Sequence, residues 1–207
     1  MRGRPRRLHG VAGTLSVMAR APERPALLII DMISAFDFPE ARALHADLVA
    51  AARGIQRLRA QCQVHGLPVI YANDNFAHWR TDFRELVHIA AGASPIGREV
   101  TTLLQPGPDD YFILKPKHSA FLATALPVLL AKLGVDTLYL TGMTADSCIL
   151  ATALDANARE YRVRVIREAV AGLPKRKREA LGVIAASHAA DVILLRSALR
   201  SLRPPGR

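Results

Sequence analysis

With 207 residues, half of them apolar, the chain can bury a full core, which excludes a disordered or disulfide-stapled peptide. Its formal charge of +10 would suggest a nucleic-acid or membrane partner if it covered the folded body. Instead six Arg against Glu23 in residues 1–24 and four Arg in 196–207 put +9 in the tails and leave the body near neutral.

Residues 1–24, rich in Arg, Gly and Pro, are expected to form a loosely attached basic arm. Arg6-Arg7 precedes a segment that His9, Gly10, Gly13 and Arg20 make too polar for an export signal. The first strand is Ala26 to Asp31, a continuous apolar run ending on a carboxylate, as in a central parallel strand. That Asp is a functional candidate; the alternative is an N-cap or turn former. Helical spacing follows from Glu40 to His65 and stops at Gly66 and Pro68. Cys62 lies on that helix and reads as structural.

A second strand, Leu67 to Ala72, leads into a polar loop with Asn73-Asp74-Asn75-Phe76 and the sole Trp, Trp79. Residues 81–105 read as helical. The third strand, Tyr111 to Lys115, again ends on a charge, and a helix is expected from Ser119, with Pro127 marking a boundary or kink. The fourth strand, Thr137 to Thr141, meets Gly142, a short turn, and a segment with apolar residues at helical spacing. Cys148 falls in the first turn of that helix, where unpaired N–H groups and the macrodipole favour a thiolate. It is either a nucleophile or a small buried apolar residue. A fifth strand, Val163 to Ile166, a helix from Lys175 to Ala189, and a sixth strand, Asp191 to Leu195, complete the body. Residues 198–207 are expected to form a second basic tail.

Strands alternating with helices imply a parallel sheet covered on both faces, an α/β/α arrangement with ligands bound outside the carboxyl ends of the strands. Asp31, Lys115 and Cys148 each follow a different strand at that edge, so they can converge. Two cysteines are too few for a disulfide framework and fit a reduced, cytoplasmic protein, and no apolar run approaches the roughly 18 residues of a membrane span.

Asp31 in LLIIDM, Lys115 in ILKPKHSAF and Cys148 in LTGMTADSC resemble the Asp-Lys-Cys triad of the isochorismatase-like cysteine hydrolases, a superfamily that includes nicotinamidases, carbamoylsarcosine amidases and ureidoacrylate amidases. The resemblance runs from about Ala26 to Leu195. It implies a six-stranded parallel sheet of order 3-2-1-4-5-6 in a hydrolase domain over residues 25–197. It also implies hydrolysis of a C–N bond through a cysteine thioester, with an oxyanion hole from the backbone N–H groups of Thr144 and Cys148 and a cis peptide between Met143 and Thr144. No cofactor is implied, and relatives form homodimers or homotetramers.

Three departures bear on substrate. Ile33 stands where many relatives carry a polar residue, the turn reads Thr144-Ala145-Asp146 rather than Ala-Thr-Asp, and Asn75 occupies a position where metal-binding nicotinamidases carry His. His78 alone is not expected to bind metal, so the metal set is empty. Phe36, Asn75, Trp79, His118 and Phe121 are the candidates for lining the substrate pocket, which would suit a small, flat, neutral or anionic acyl compound. The competing functions are a vinyl-ether hydrolase of the isochorismatase type, a non-catalytic binding protein on the same fold, and a redox role for Cys148. A small-molecule substrate is the expected partner; neither a membrane nor nucleic acid is expected.

Overall fold

The computed structural model describes residues 23–77 and 79–202. The expected N-terminal arm up to residue 22, His78, and residues 203–207 lie outside the described residues. Six strands, β1 (Pro25–Ile30), β2 (Val69–Asp74), β3 (Tyr111–Lys115), β4 (Thr137–Met143), β5 (Arg162–Ala171) and β6 (Asp191–Ile193), form one parallel sheet of order β3-β2-β1-β4-β5-β6. Seven helices accompany it: α1 (Ala41–Val64), α2 (Phe83–Ala93), α3 (Pro95–Leu103), α4 (Leu126–Leu133), α5 (Leu150–Ala158), α6 (Pro174–Ala186) and α7 (Leu195–Ser201).

The continuous apolar runs follow from burial on both faces. Along β1, Leu27 and Ile29 pack with α1, α2, α3 and α7, whereas Leu28 and Ile30 pack with α4, α5 and α6. At roughly 25 cal/mol per Å² of apolar area, these two cores supply most of the driving force for the three-layer arrangement. None of the helices among the described residues is long and apolar enough to cross a membrane.

Local chemistry sets the element ends. Asp82 and Ser94 cap α2 and α3 by accepting the N–H groups of Glu85 and Gly97. The helix expected from Ser119 starts only at Leu126, because Pro127 fits the first turn of a helix but not its interior. Residues 119–125 form turns instead.

The expected sixth strand stops at Ile193, and Leu195 opens α7. Helix α7 thus runs into the residues expected as a tail, and Ala198 and Leu202 are buried against the α1 side of the sheet. At the other end, Glu23 and Arg24 are held by Arg164 and by Asp136.

Gly142 fixes how closely the two central strands approach. Its φ is +112°, and a Cβ there would lie 2.0 Å from the carbonyl oxygen of Ile30, so only glycine lets β1 and β4 meet at their carboxyl ends.

Candidate active site

The strand order decides which side chains can meet. β1 lies between β2 and β4, so the residue after β1 sits at the centre of the carboxyl edge, with the end of β3 two strands to one side and the turn after β4 on the other. Asp31 follows β1 in the left-handed conformation, φ +54°, a backbone state that Asp tolerates better than most residues. Its N–H donates to Ala72 O at 3.0 Å, and its Oδ1 accepts the N–H of Asp74 at 2.8 Å. These bonds aim the carboxylate along the edge.

Lys115, the last residue of β3, is 1% exposed. Its Nζ lies 2.8 Å from Asp31 Oδ2, donates to Lys117 O at 3.1 Å, and sits 3.7 Å from Cys148 Sγ. The three residues separated by 117 positions of chain thus share one ammonium group. Cys148 is not in the first turn of an α-helix as expected; it lies in a π-helical turn, Ala145–Ile149, that precedes α5. The N–H groups of Ser147 and Ile149 both donate to Thr144 O, each at 3.2 Å. The peptide between Met143 and Thr144 is cis.

The charges follow from burial and pairing. Burial raises the Asp31 pKa, opposed by Lys115. For Lys115 burial works downward, but Asp31 and Cys148 outweigh it and hold the ammonium charged. The Cys148 thiol is pushed up to about 12, first by burial and then by the Asp31 charge, with Lys115 pulling the other way. Burial and the Asp31 charge thus oppose the thiolate that a helix start alone would favour. A buried site that already holds a carboxylate keeps the resting sulfur protonated, and its proton must leave during attack.

These side chains border a cavity of about 520 Å³. His118 lines it, with Nδ1 at 2.9 Å from Ser147 Oγ and 4.0 Å from Cys148 Sγ. The other four pocket candidates do not line it, for distinct reasons. Phe36, at φ +50°, turns into the core on the α1 side, while Phe38, two residues on, faces the cavity. Asn75 spends its side-chain oxygen on the N–H groups of Ala77 and Trp79, an Asx-type turn. Trp79 is 60% exposed and lies outside the cavity wall. Phe121 is buried on the opposite core, with Arg159 over its ring at 5.1 Å.

Asp37, Lys117 and Ser147 are lining residues that sequence reasoning did not single out, while Asp74 and Phe76 belong to the polar loop it marked after the second strand. Asp74 carried a signal, since it is a charge at the end of a buried strand, as Lys115 is. A second cavity, about 630 Å³, opens at the other end of the strands beside Asp110 and Tyr111, and no Ser, Thr or Cys lines it. Among the described residues, no three His, Cys, Asp or Glu side chains gather as a metal-holding group.

Comparison with known proteins agrees with this fold. The family model described as the isochorismatase domain matches residues 25–196. An uncharacterized isochorismatase family protein of Bacillus subtilis, YaaI, is 34% identical over 146 residues, 70% of this chain and 80% of its own length. Maleamate amidohydrolase of Pseudomonas putida is 28% identical over 194 residues, 87% of each protein. The crystal structure of an isochorismatase family protein from Desulfovibrio vulgaris superposes with a TM-score of 0.69 at 27% identity, over 84% of this chain and 96% of that one. From residue 25 to 196 the chain belongs to the isochorismatase family of hydrolases.

Proposed function

We propose that the protein is a cysteine amidohydrolase that cleaves a C–N bond, amide or ureide, of a small molecule. The observation that carries this reading is the Lys115 ammonium lying within 2.8 Å of the Asp31 carboxylate and 3.7 Å of the Cys148 sulfur at the floor of a ligand-sized cavity. Asp31 takes the thiol proton as sulfur adds to the carbonyl carbon. The backbone N–H groups of Thr144 and Cys148 hold the oxyanion; neither donates to a loop or turn acceptor among the described residues.

Collapse breaks the C–N bond, and Asp31 returns the proton to the departing ammonia or amine. Asp31 then draws a proton from water, hydroxide adds to the thioester, and the sulfur leaves and regains its proton as the carboxylic acid product departs. Lys115 stays charged throughout and balances whichever anion is present. The amide chemistry named for the Pseudomonas putida relative supports this reading.

Ammonia release by the purified protein over a panel of small amides, ureides and carbamoyl compounds tests it, with Cys148→Ala in parallel. Activity that disappears in the variant is the expected result; activity that survives sinks the mechanism. The family model's own description favours a second reading, hydrolysis of an isochorismate-type vinyl ether. That reading predicts release of an enol or keto acid from such an ether and no ammonia from any amide.

A further inference from the structure

We propose, resting on the amidohydrolase reading, that the cavity selects amides or ureides carrying a cationic nitrogen a few bonds from the scissile carbonyl. Beyond the triad, the cavity lining carries several hydrogen-bond acceptors. Asn73 is 1% exposed and lines the cavity; its Nδ2 donates to Ile33 O, and its Oδ1 has no partner among the described residues. A buried carboxamide oxygen without a donor is unfavourable until an N–H reaches it. Asp37 and Asp74 add two exposed carboxylates to the same cavity, and neither forms an ion pair among the described residues. Phe38 and Phe76, both half-buried, complete the wall with aromatic surface, which attracts cations.

The opposing charges are fewer. Lys115 is committed to Asp31, which leaves Lys117 as the one further ammonium on the lining, beside His118. The adjoining recess repeats the balance, with Glu40 and Asp146 against Arg176, whose Nε is 4.0 Å from Asp146. The acid excess at this mouth stands on a body that is close to neutral once the basic tails are set aside. An anionic substrate would bring its carboxylate to Asp37 and Asp74 with a single lysine to answer it. An ammonium or amidinium meets two carboxylates, an unpaired carbonyl oxygen and two aromatic rings.

Three compounds of equal length separate the possibilities: β-alaninamide, butyramide and succinamate, whose ends are an ammonium, a methyl and a carboxylate. Binding is measured by calorimetry or ligand-observed NMR on full-length Cys148→Ala, and ammonia release on the wild type. At low salt β-alaninamide should bind best and succinamate worst, spanning on the order of ten- to a hundredfold, and the gap should narrow as ionic strength rises. In Asp37→Asn/Asp74→Asn the cationic advantage should collapse. Asn73→Leu, which removes the acceptor without adding charge, should weaken β-alaninamide while leaving the Asp-dependent preference in place.

Succinamate binding as well as β-alaninamide, no measurable binding of β-alaninamide, or a preference unchanged in the double variant each overturns the inference. The hydrolase reading fails separately: β-alaninamide that binds in the expected order but releases no ammonia leaves the charge selection standing and removes the amide chemistry.

Discussion

Replacing Asp31 by Asn should make Cys148 more reactive toward an alkylating agent while abolishing turnover. The Cys148 thiol is held at about 12 by burial and then by the Asp31 charge. With Lys115 Nζ 2.8 Å from Asp31 Oδ2 and 3.7 Å from Cys148 Sγ, carboxylate and sulfur are at most about 6.5 Å apart. At an effective dielectric of about 20, a unit charge at that distance is worth about 2.5 kcal/mol, close to two pKa units. Removing it raises the thiolate fraction at pH 8 roughly a hundredfold. The lower-pKa thiolate is intrinsically a weaker nucleophile, which offsets about tenfold of that gain and leaves alkylation about tenfold faster. The rate is read at the Cys148 peptide by mass spectrometry after timed iodoacetamide treatment of the folded protein, so that buried Cys62 does not contribute. Alkylation unchanged or slower in Asp31→Asn would mean that no anionic carboxylate acts on this sulfur, and the proton-transfer role would fall with it.

Other consequences follow from the same geometry. Lys115→Met leaves Asp31 buried without its counter-charge and should cost about 3–5 kcal/mol in urea denaturation, much of it recovered in Asp31→Asn/Lys115→Met; a loss below about 1 kcal/mol would contradict the buried pair. Cys148 and Cys62 are both raised from an ordinary 9.0 to about 12, so the folded chain keeps protons that the unfolded chain releases. Stability fully present below pH 9 should fall as pH rises toward 12, less steeply in Cys148→Ala, and a urea midpoint flat between pH 9 and 11 would refute this. Gly142→Ala drives a methyl into Ile30 O and should cost at least about 2 kcal/mol, with activity falling as β1 and β4 separate; a variant with wild-type stability would show that the strands need not approach so closely.

The centre of the sheet was legible because buried parallel strands must be apolar on both faces, and Asp31, Lys115 and Cys148 stood out as chemistry at the ends of such runs. The pocket wall was less so. Whether Phe36 or Phe38 faces the cavity depends on a left-handed residue in an irregular loop, which no periodicity records. Asn75 reads as a ligand-binding amide until its turn is seen to consume the side-chain oxygen. Phe121 sits one helix-turn from His118 in sequence but on the core side of the segment. The last apolar run, Asp191 to Leu195, is long enough for a strand, yet the chain turns after Ile193 and uses Leu195 to open α7. The charge state of Cys148 needed three dimensions, since a helix-start argument omits both burial and the neighbouring carboxylate.

The central claim is a covalent acyl intermediate on Cys148, and rapid acid quenching during turnover of an amide substrate followed by peptide mass mapping reads it directly. The account predicts an added mass equal to the acyl group on the peptide containing Cys148, released by hydroxylamine as a thioester is. Steady turnover with Cys148 unmodified at every quench time, and retained in Cys148→Ala, would contradict it.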